Sequence, residues 1–362
     1  MRYPVLAFLL IAFVIDAAAQ FNIPRVVDSA YIKRFPDVIT VSPYVSSSAE
    51  SIQLSPGASS QGLGTRQANY RPNLKGGYGI GFSYRIFDLA LGWSQSLDSI
   101  SQAVYGETNH SSFGLRMWAT RKTMLEFSYK WTAGYSNLSG FGYEDTVRPA
   151  DKPFPHRPDI RVRYIKLRGL YQFNPDKFSY RSAFAFSERQ LKSKLGYFLS
   201  ADVFFHRMKA DSSIVPGAIW VDYQPYNMVH QMRIGGFGIA PGIGGTWTGG
   251  KWFLSGVLCL GADIQHFNYK LENTGSHLKE LRLSPKVDFR YAWGYNSDRW
   301  FFGFQGWSDI NVFNSKGLII TSLFNRTLFS LGFRFNTPRV VDRVYTFGVN
   351  KFIPKKYRPM MY

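Results

Sequence analysis

Between Leu281 and Tyr295 the chain alternates at nearly every residue. Leu281, Leu283, Pro285, Val287, Phe289, Tyr291, Trp293 and Tyr295 fall on one side of an extended ribbon, and Arg282, Ser284, Lys286, Asp288, Arg290, Ala292 and Gly294 on the other. Successive strand side chains point to opposite faces, whereas a helix would mix the two sets, so the pattern predicts a strand with one oily face and one ionic face. The same pattern recurs where Tyr78, Ile80, Phe82 and Tyr84 alternate with Gly79, Gly81, Ser83 and Arg85. It recurs again at Leu125–Trp131, Leu195–Phe205 and Phe329–Phe335.

Short connections at Ile86, Arg121-Lys122, Thr248-Gly249-Gly250 and Asn296-Ser297-Asp298 alternate with long ones near 55–70, 96–110, 136–159 and 210–228. Counting both kinds predicts twelve strands, near 38–54, 68–85, 87–97, 108–119, 123–135, 160–174, 193–210, 229–248, 251–272, 279–296, 298–313 and 319–336. A soluble sandwich also alternates. Strand lengths near the 9–11 residues that cross a bilayer at a tilt, aromatic residues at strand ends, and full charges on the polar face favour a barrel in a membrane. The fold expected is all-β: a single-chain transmembrane antiparallel β-barrel of about 12 strands over residues 38–336. Residues 20–37 form an N-terminal periplasmic segment and 337–362 a basic C-terminal periplasmic tail. Residues 175–192 do not alternate and stand where a short turn belongs; a flap, a plug and an extra strand pair all remain open. Val344–Phe352 could add one more strand.

Composition sharpens this picture. Aromatic residues make up 17% of the chain and there are 33 glycines, a pairing that suits pleated walls and tight turns. Mean hydropathy is −0.17, too low for a bundle of membrane helices. Arg2, the apolar run Val5–Ile15 and Ala17-Ala18-Ala19 read as a cleaved export signal over residues 1–19, placing the mature protein in the bacterial outer membrane. Cys259 is the single cysteine and cannot form an internal disulfide. The formal charge of +19 in an exported chain points to outer-membrane lipid, lipopolysaccharide phosphates or an anionic solute, and away from nucleic acid.

Candidate chemistry is sparse. His110 and Ser112 share a strand face, as a hydrolase base and nucleophile could. With Phe113, Leu115 and Met117 toward lipid, however, both point inward, away from a lipid substrate. Gly245–Lys251 matches half a phosphate-loop pattern, but Trp252 stands where Ser or Thr is required. No histidine spacing suits a metal, and no cofactor or catalytic residue is expected. The lumen-lining set is Arg116, Glu126, Lys130, Lys166, Arg168, Asp202, Asp263, Arg282, Lys286, Asp288, Arg290 and Arg334. These charges either knit a closed interior or line a narrow pore whose positive surplus favours anions. A non-enzymatic barrel with a structural or passive-transport role is the leading expectation. A lipid-modifying hydrolase, and an adhesin or assembly scaffold whose basic tail binds a periplasmic partner, are the alternatives.

Asp28-Ser29-Ala30-Tyr31-Ile32-Lys33, Phe35-Pro36-Asp37, Tyr70-Arg71-Pro72-Asn73, Phe178-Ser179-Tyr180-Arg181, Glu188-Arg189-Gln190 and Lys209-Ala210-Asp211-Ser212-Ser213 occur in this order along the chain. In this it resembles a family of outer-membrane β-barrels of Bacteroidota known only as a domain of unknown function. The resemblance implies the fold and carries no activity or site residues.

Overall fold

The computed structural model describes residues 27–35, 37–57, 66–95, 97–139, 152–224, 226–271, 277–314 and 317–352. The export signal, and the tail lysines Lys355 and Lys356 with Arg358, lie outside them. Two short strands stand apart from the wall: β1 (Ile32–Arg34) pairs with β9 (Glu188–Gln190). The wall is a ring of twelve antiparallel strands. They are β2 (Val38–Pro56), β4 (Gly77–Tyr84), β5 (Phe87–Ser94), β6 (Asn109–Trp118), β7 (Thr123–Asn137), β8 (His156–Gln172), β10 (Lys194–Lys209), β11 (Val229–Gly249), β12 (Trp252–Leu271), β13 (His277–Asn296), β14 (Trp300–Asn314) and β15 (Leu318–Asn336). Pairing of β15 with β2, from Leu318↔Pro56 to Asn336↔Val38, closes the ring.

The wall is uneven on one side. The stretch 68–85, expected as one strand, is two: β3 (Ala68–Arg71) and β4 are separated by Pro72–Gly76, which offer no alternation to pair. β3 pairs with β2 at Ile52–Leu54 and with β7 at Ser136 and Asn137. At the loop end the circuit therefore skips β4, β5 and β6 and counts ten strands. β5 and β6 pair only from Phe87↔Met117 to Ala90↔Gly114 and then part. Helix α1 (Ser99–Tyr105) connects them, held by Asn73, whose Nδ2 donates to the carbonyls of Ser101 (3.1 Å) and Gly106 (2.9 Å).

The apolar side of the wall changes face along the strands. On β2, Ile39, Val41, Pro43 and Val45 point outward; beyond them Ser47, Ser51 and Gln53 take the outer face, and Ile52 and Leu54 are buried inside. β8 and β10 switch likewise: outward Leu167, Ile165, Val203 and Phe205 give way to outward Arg163, Arg161, Arg207 and Lys209, while Val162, Ile160 and Met208 are buried within. Where the outer face is greasy it needs hydrocarbon; where it turns polar it meets water, and the oily residues move inside. Phe333, Phe335, Trp293 and Leu260 stand 47–55% exposed, with no protein covering them.

The tail differs from the expected extra strand. Arg339–Phe352 is a helix, α2, lying across the β4–β5 turn. Asp342 bonds Arg85 (2.9 Å), and Tyr345 sits edge-on to Tyr84 (5.3 Å). Val340, Val344 and Phe347 form its exposed stripe.

Candidate functional site

Inward side chains fill the ring in three layers. At the short-turn end, residues 174–191 fold up into the barrel instead of turning tightly, which resolves the open segment as a plug. Asn174-Pro175-Asp176 ends strand pairing, since proline cannot donate to a ladder. Ser179 then caps a helical turn, Tyr180–Phe184, its Oγ accepting from the Ser182 amide (3.1 Å). Phe186 stacks on Phe301 (4.3 Å), and Tyr180 tilts against Trp118 (5.9 Å). Glycines at 196 and 303 make room, because a Cβ there would overlap the rings of Phe178 and Phe186.

In a five-residue helical turn the Arg181 carbonyl accepts from the Ala185 amide (3.2 Å), but most carbonyls lack internal partners. The wall supplies them. Gln172 of β8 donates to the carbonyl of Phe178 (2.5 Å) and Arg116 of β6 to that of Phe184 (3.1 Å). Asn296 of β13 donates to Ser182 (3.1 Å) and Glu188 (3.0 Å). Gln305 of β14 donates to Ala183 (2.7 Å), and Arg334 of β15 to Phe186 (2.5 Å). Five strands thus grip one short segment. Below it, in the β13–β14 turn, Asp298 accepts from Lys33 (2.9 Å) and lies 2.9 Å from Arg189. The Lys33 hydrogen bond, aided by the Arg189 charge, holds its carboxyl below the usual carboxylate range. A cavity of about 50 Å³ lies between plug and wall, lined by Trp118, Arg121, Tyr180 and Glu188. That is space for water, not for a solute.

The middle layer is ionic. Glu126 meets Arg290 (2.7 Å), Arg116 (3.4 Å) and Arg168 (3.8 Å). Asp288 meets Arg168 (2.5 Å) and Arg290 (3.4 Å). Lys286 pairs with Asp202 and, at 3.4 Å, with Asp263. Lys166 lies 3.7 Å from Asp309. Lys130 sits over the Phe324 ring (2.9 Å to the centroid), and Glu50 accepts from Tyr135 (3.1 Å). Arg168 and Asp288 are each 1% exposed, Asp263 0% and Lys286 3%, so protein atoms pack directly around these charges. Buried charge is tolerable only when paired, and the centre of this layer meets that condition, while Lys130 and Glu50 rest on an aromatic ring and a tyrosine hydroxyl instead.

The loop end is capped by residues 210–228, expected as an outer loop. A 3-10 helix, Gly217–Tyr223, lays Ile219 and Tyr223 across the mouth against Ile52, Leu54 and Phe313. Tyr223 donates to the carbonyls of Leu54 (2.9 Å) and Arg66 (3.0 Å), and Tyr70 to that of Ile214 (2.7 Å).

Of the predicted lumen residues, Arg116, Glu126, Lys130, Lys166, Arg168, Asp202, Asp263, Lys286, Asp288 and Arg290 come together in the ionic layer. Arg334 instead serves the plug. Arg282, 3.5 Å from Glu280, sits toward the outer rim. Two acids were missed, Glu50 and Asp309. Their parity assigns both to the inner face, Glu50 in step with Ile52 and Asp309 with Phe313. With them, and with Arg326, which also faces inward over the Tyr44 ring (6.0 Å), the layer holds seven cations and six carboxylates, so the expected positive surplus shrinks to a single charge. His110 Nδ1 lies 2.9 Å from Thr132 Oγ1, and among the described residues no hydrogen bond joins it to Ser112. His206, on the inner face of β10 with Asp202, packs on the Phe313 ring (4.9 Å).

These features define a transmembrane β-barrel with both mouths filled. The chain belongs to the family described as a domain of unknown function (DUF4421), which matches residues 26–335. Solved structures that it resembles include the outer membrane protease OmpT from Escherichia coli, at TM-score 0.40 and 8% identity over 83% of this chain and 98% of that one. The Pseudomonas putida toluene transporter TodX matches at TM-score 0.26 and 8% identity, over 84% and 92%. The translocator domain of the autotransporter NalP from Neisseria meningitidis matches at 0.26 and 8%, over 92% and 97%. No curated protein matches the sequence.

Proposed function

We propose that this chain is an exported, non-enzymatic outer-membrane barrel of a Bacteroidota bacterium, acting as a sealed structural scaffold and not as a conduit. The observation that carries this reading is the cross-paired ionic layer, with Arg168, Asp288, Asp263 and Lys286 buried at its centre, between two filled mouths. An anion pathway would need an open, wet wall; Lys130 and Arg326 stand outside the ion pairs, but Ile219 and Tyr223 lie across one mouth and Phe178–Phe186 fill the other. A scaffold works through its outside. Its working surfaces are then the lipid-facing belt, the rim beyond it, and the terminal helix with its exposed Val340, Val344 and Phe347. Purified protein in planar bilayers tests the reading. Intact barrels should insert and give no conductance steps; steady single-channel currents would overturn it.

A further inference from the structure

We propose that the outer wall carries a binding site for the phosphate groups of an outer-leaflet saccharolipid, formed by Arg163, Arg207 and Arg233, with Arg161 and Lys209 just beyond them. The site rests on the reading that the apolar belt faces lipid. Strand register places the three arginines side by side, Arg163 opposite Arg207 and Arg207 opposite Arg233. All three are exposed, while their chain neighbours Val162, Tyr164, His206, Met208, Met232 and Ile234 are buried inside. They therefore share the outer face, with backbones about 5 Å apart.

Like charges directly opposite one another destabilise a sheet. The protein does not answer them: among the described residues none of the five cations forms an ion pair. Arg207 has only the Gln231 side chain, at 3.2 Å. The carboxylate on the same face of β8, Asp159, is already held by Arg157 through two 2.8 Å bonds. A row of unanswered guanidinium groups is suited to a ligand that brings its own anions, and guanidinium binds phosphate in a two-pronged fashion.

Position selects the ligand. The arginines stand where the outer face changes from apolar to polar. Next to them toward the belt lie Ile165 and Phe205, the Phe205 ring resting against Gly235, and then Leu167, Val203 and Phe237. A molecule held here has phosphates at the rim and hydrocarbon below it. The loop end faces the outer leaflet, so a phosphorylated sugar lipid fits, with its acyl chains along the belt.

Native mass spectrometry of the detergent-purified full chain, titrated with bis-phosphorylated lipid A or the same lipid stripped of phosphate, tests this. Wild type should bind the phosphorylated form selectively. Arg207→Gln should weaken it roughly tenfold, and the triple change to Gln at 163, 207 and 233 should abolish selectivity. Lys251→Gln, in a turn at the opposite end, should have no effect. Because the changes remove repulsion, heat-modifiable migration on gels should show folded barrels. Equal binding of both lipids, or a triple variant that binds like wild type, would overturn the proposal. Neither result touches the conductance test, so the two readings can fail separately.

Discussion

At the short-turn mouth, amide and guanidinium side chains from five strands reach inward to donate to the carbonyls of a folded segment. At the loop mouth, Ile214, Val215, Ile219, Tyr223 and Tyr226 press against Ile52, Leu54, Phe313 and Ile320, and only a few tyrosine hydroxyls fix the position. The first closure is directional: each donor has one acceptor, and each lost donor strands a buried carbonyl. The second depends on apolar area removed from water, which tolerates small shifts but not loss of volume. One barrel therefore has two plugs with different sensitivities, and substitutions can separate them.

The largest effects should come from the centre and the loop mouth. Asp288→Ala removes the partner of both Arg168 and Arg290, and should cost about 3–5 kcal/mol in urea unfolding from detergent or lipid. Tyr223→Ala empties a fully buried ring position in the outer cap and should cost a similar ~3–5 kcal/mol. It should nevertheless leave bilayers silent, because the inner plug still fills its mouth. Conductance from that variant alone would show that the two closures are coupled.

At the plug, Gln305→Leu keeps the volume but leaves the Ala183 carbonyl unsatisfied, for an expected loss of about 1–3 kcal/mol. Trypsin cleavage at Arg181 or Arg189 should quicken at the same time, while the outer cap is unaffected. The smallest effect is one of pH. The Asp298 carboxyl titrates lower in the folded protein than in the unfolded chain, so the tie to Lys33 and Arg189 is fully present above the unfolded value of about 4. It fades as pH falls through the lower folded value. Protease access to β1 and β9 should rise in that acid range, and Asp298→Asn should remove the pH dependence.

Much of the wall could be read from period two, because lipid outside and charge inside impose opposite demands on alternate residues. The reading weakened where those demands change. Within β2 the oily face swaps sides after Val45, so Glu50 lay in a serine-rich stretch with no greasy outer partner to set its direction. Asp309 was hidden in a similar way, where Gly306 and Ser308 interrupt the greasy outer face that resumes only at Ile310. The break at Pro72–Gly76 was visible as residues, but the bridging of β3 from β2 to β7 depends on chain 65 to 67 residues away and has no local sign. The plug was visible only as a failure to alternate. Its partners, Arg116, Gln172, Asn296, Gln305 and Arg334, are spread over more than two hundred residues.

A cylinder's girth follows from the number of staves around it, and here three of the twelve are bypassed and one short one stands in, where β3 carries the circuit directly from β2 to β7. By strand number, ten against twelve, the loop end is the narrower of the two. A few tyrosine ties and an apolar lid stop the ten-strand end, while the twelve-strand end holds an inserted segment gripped from several sides.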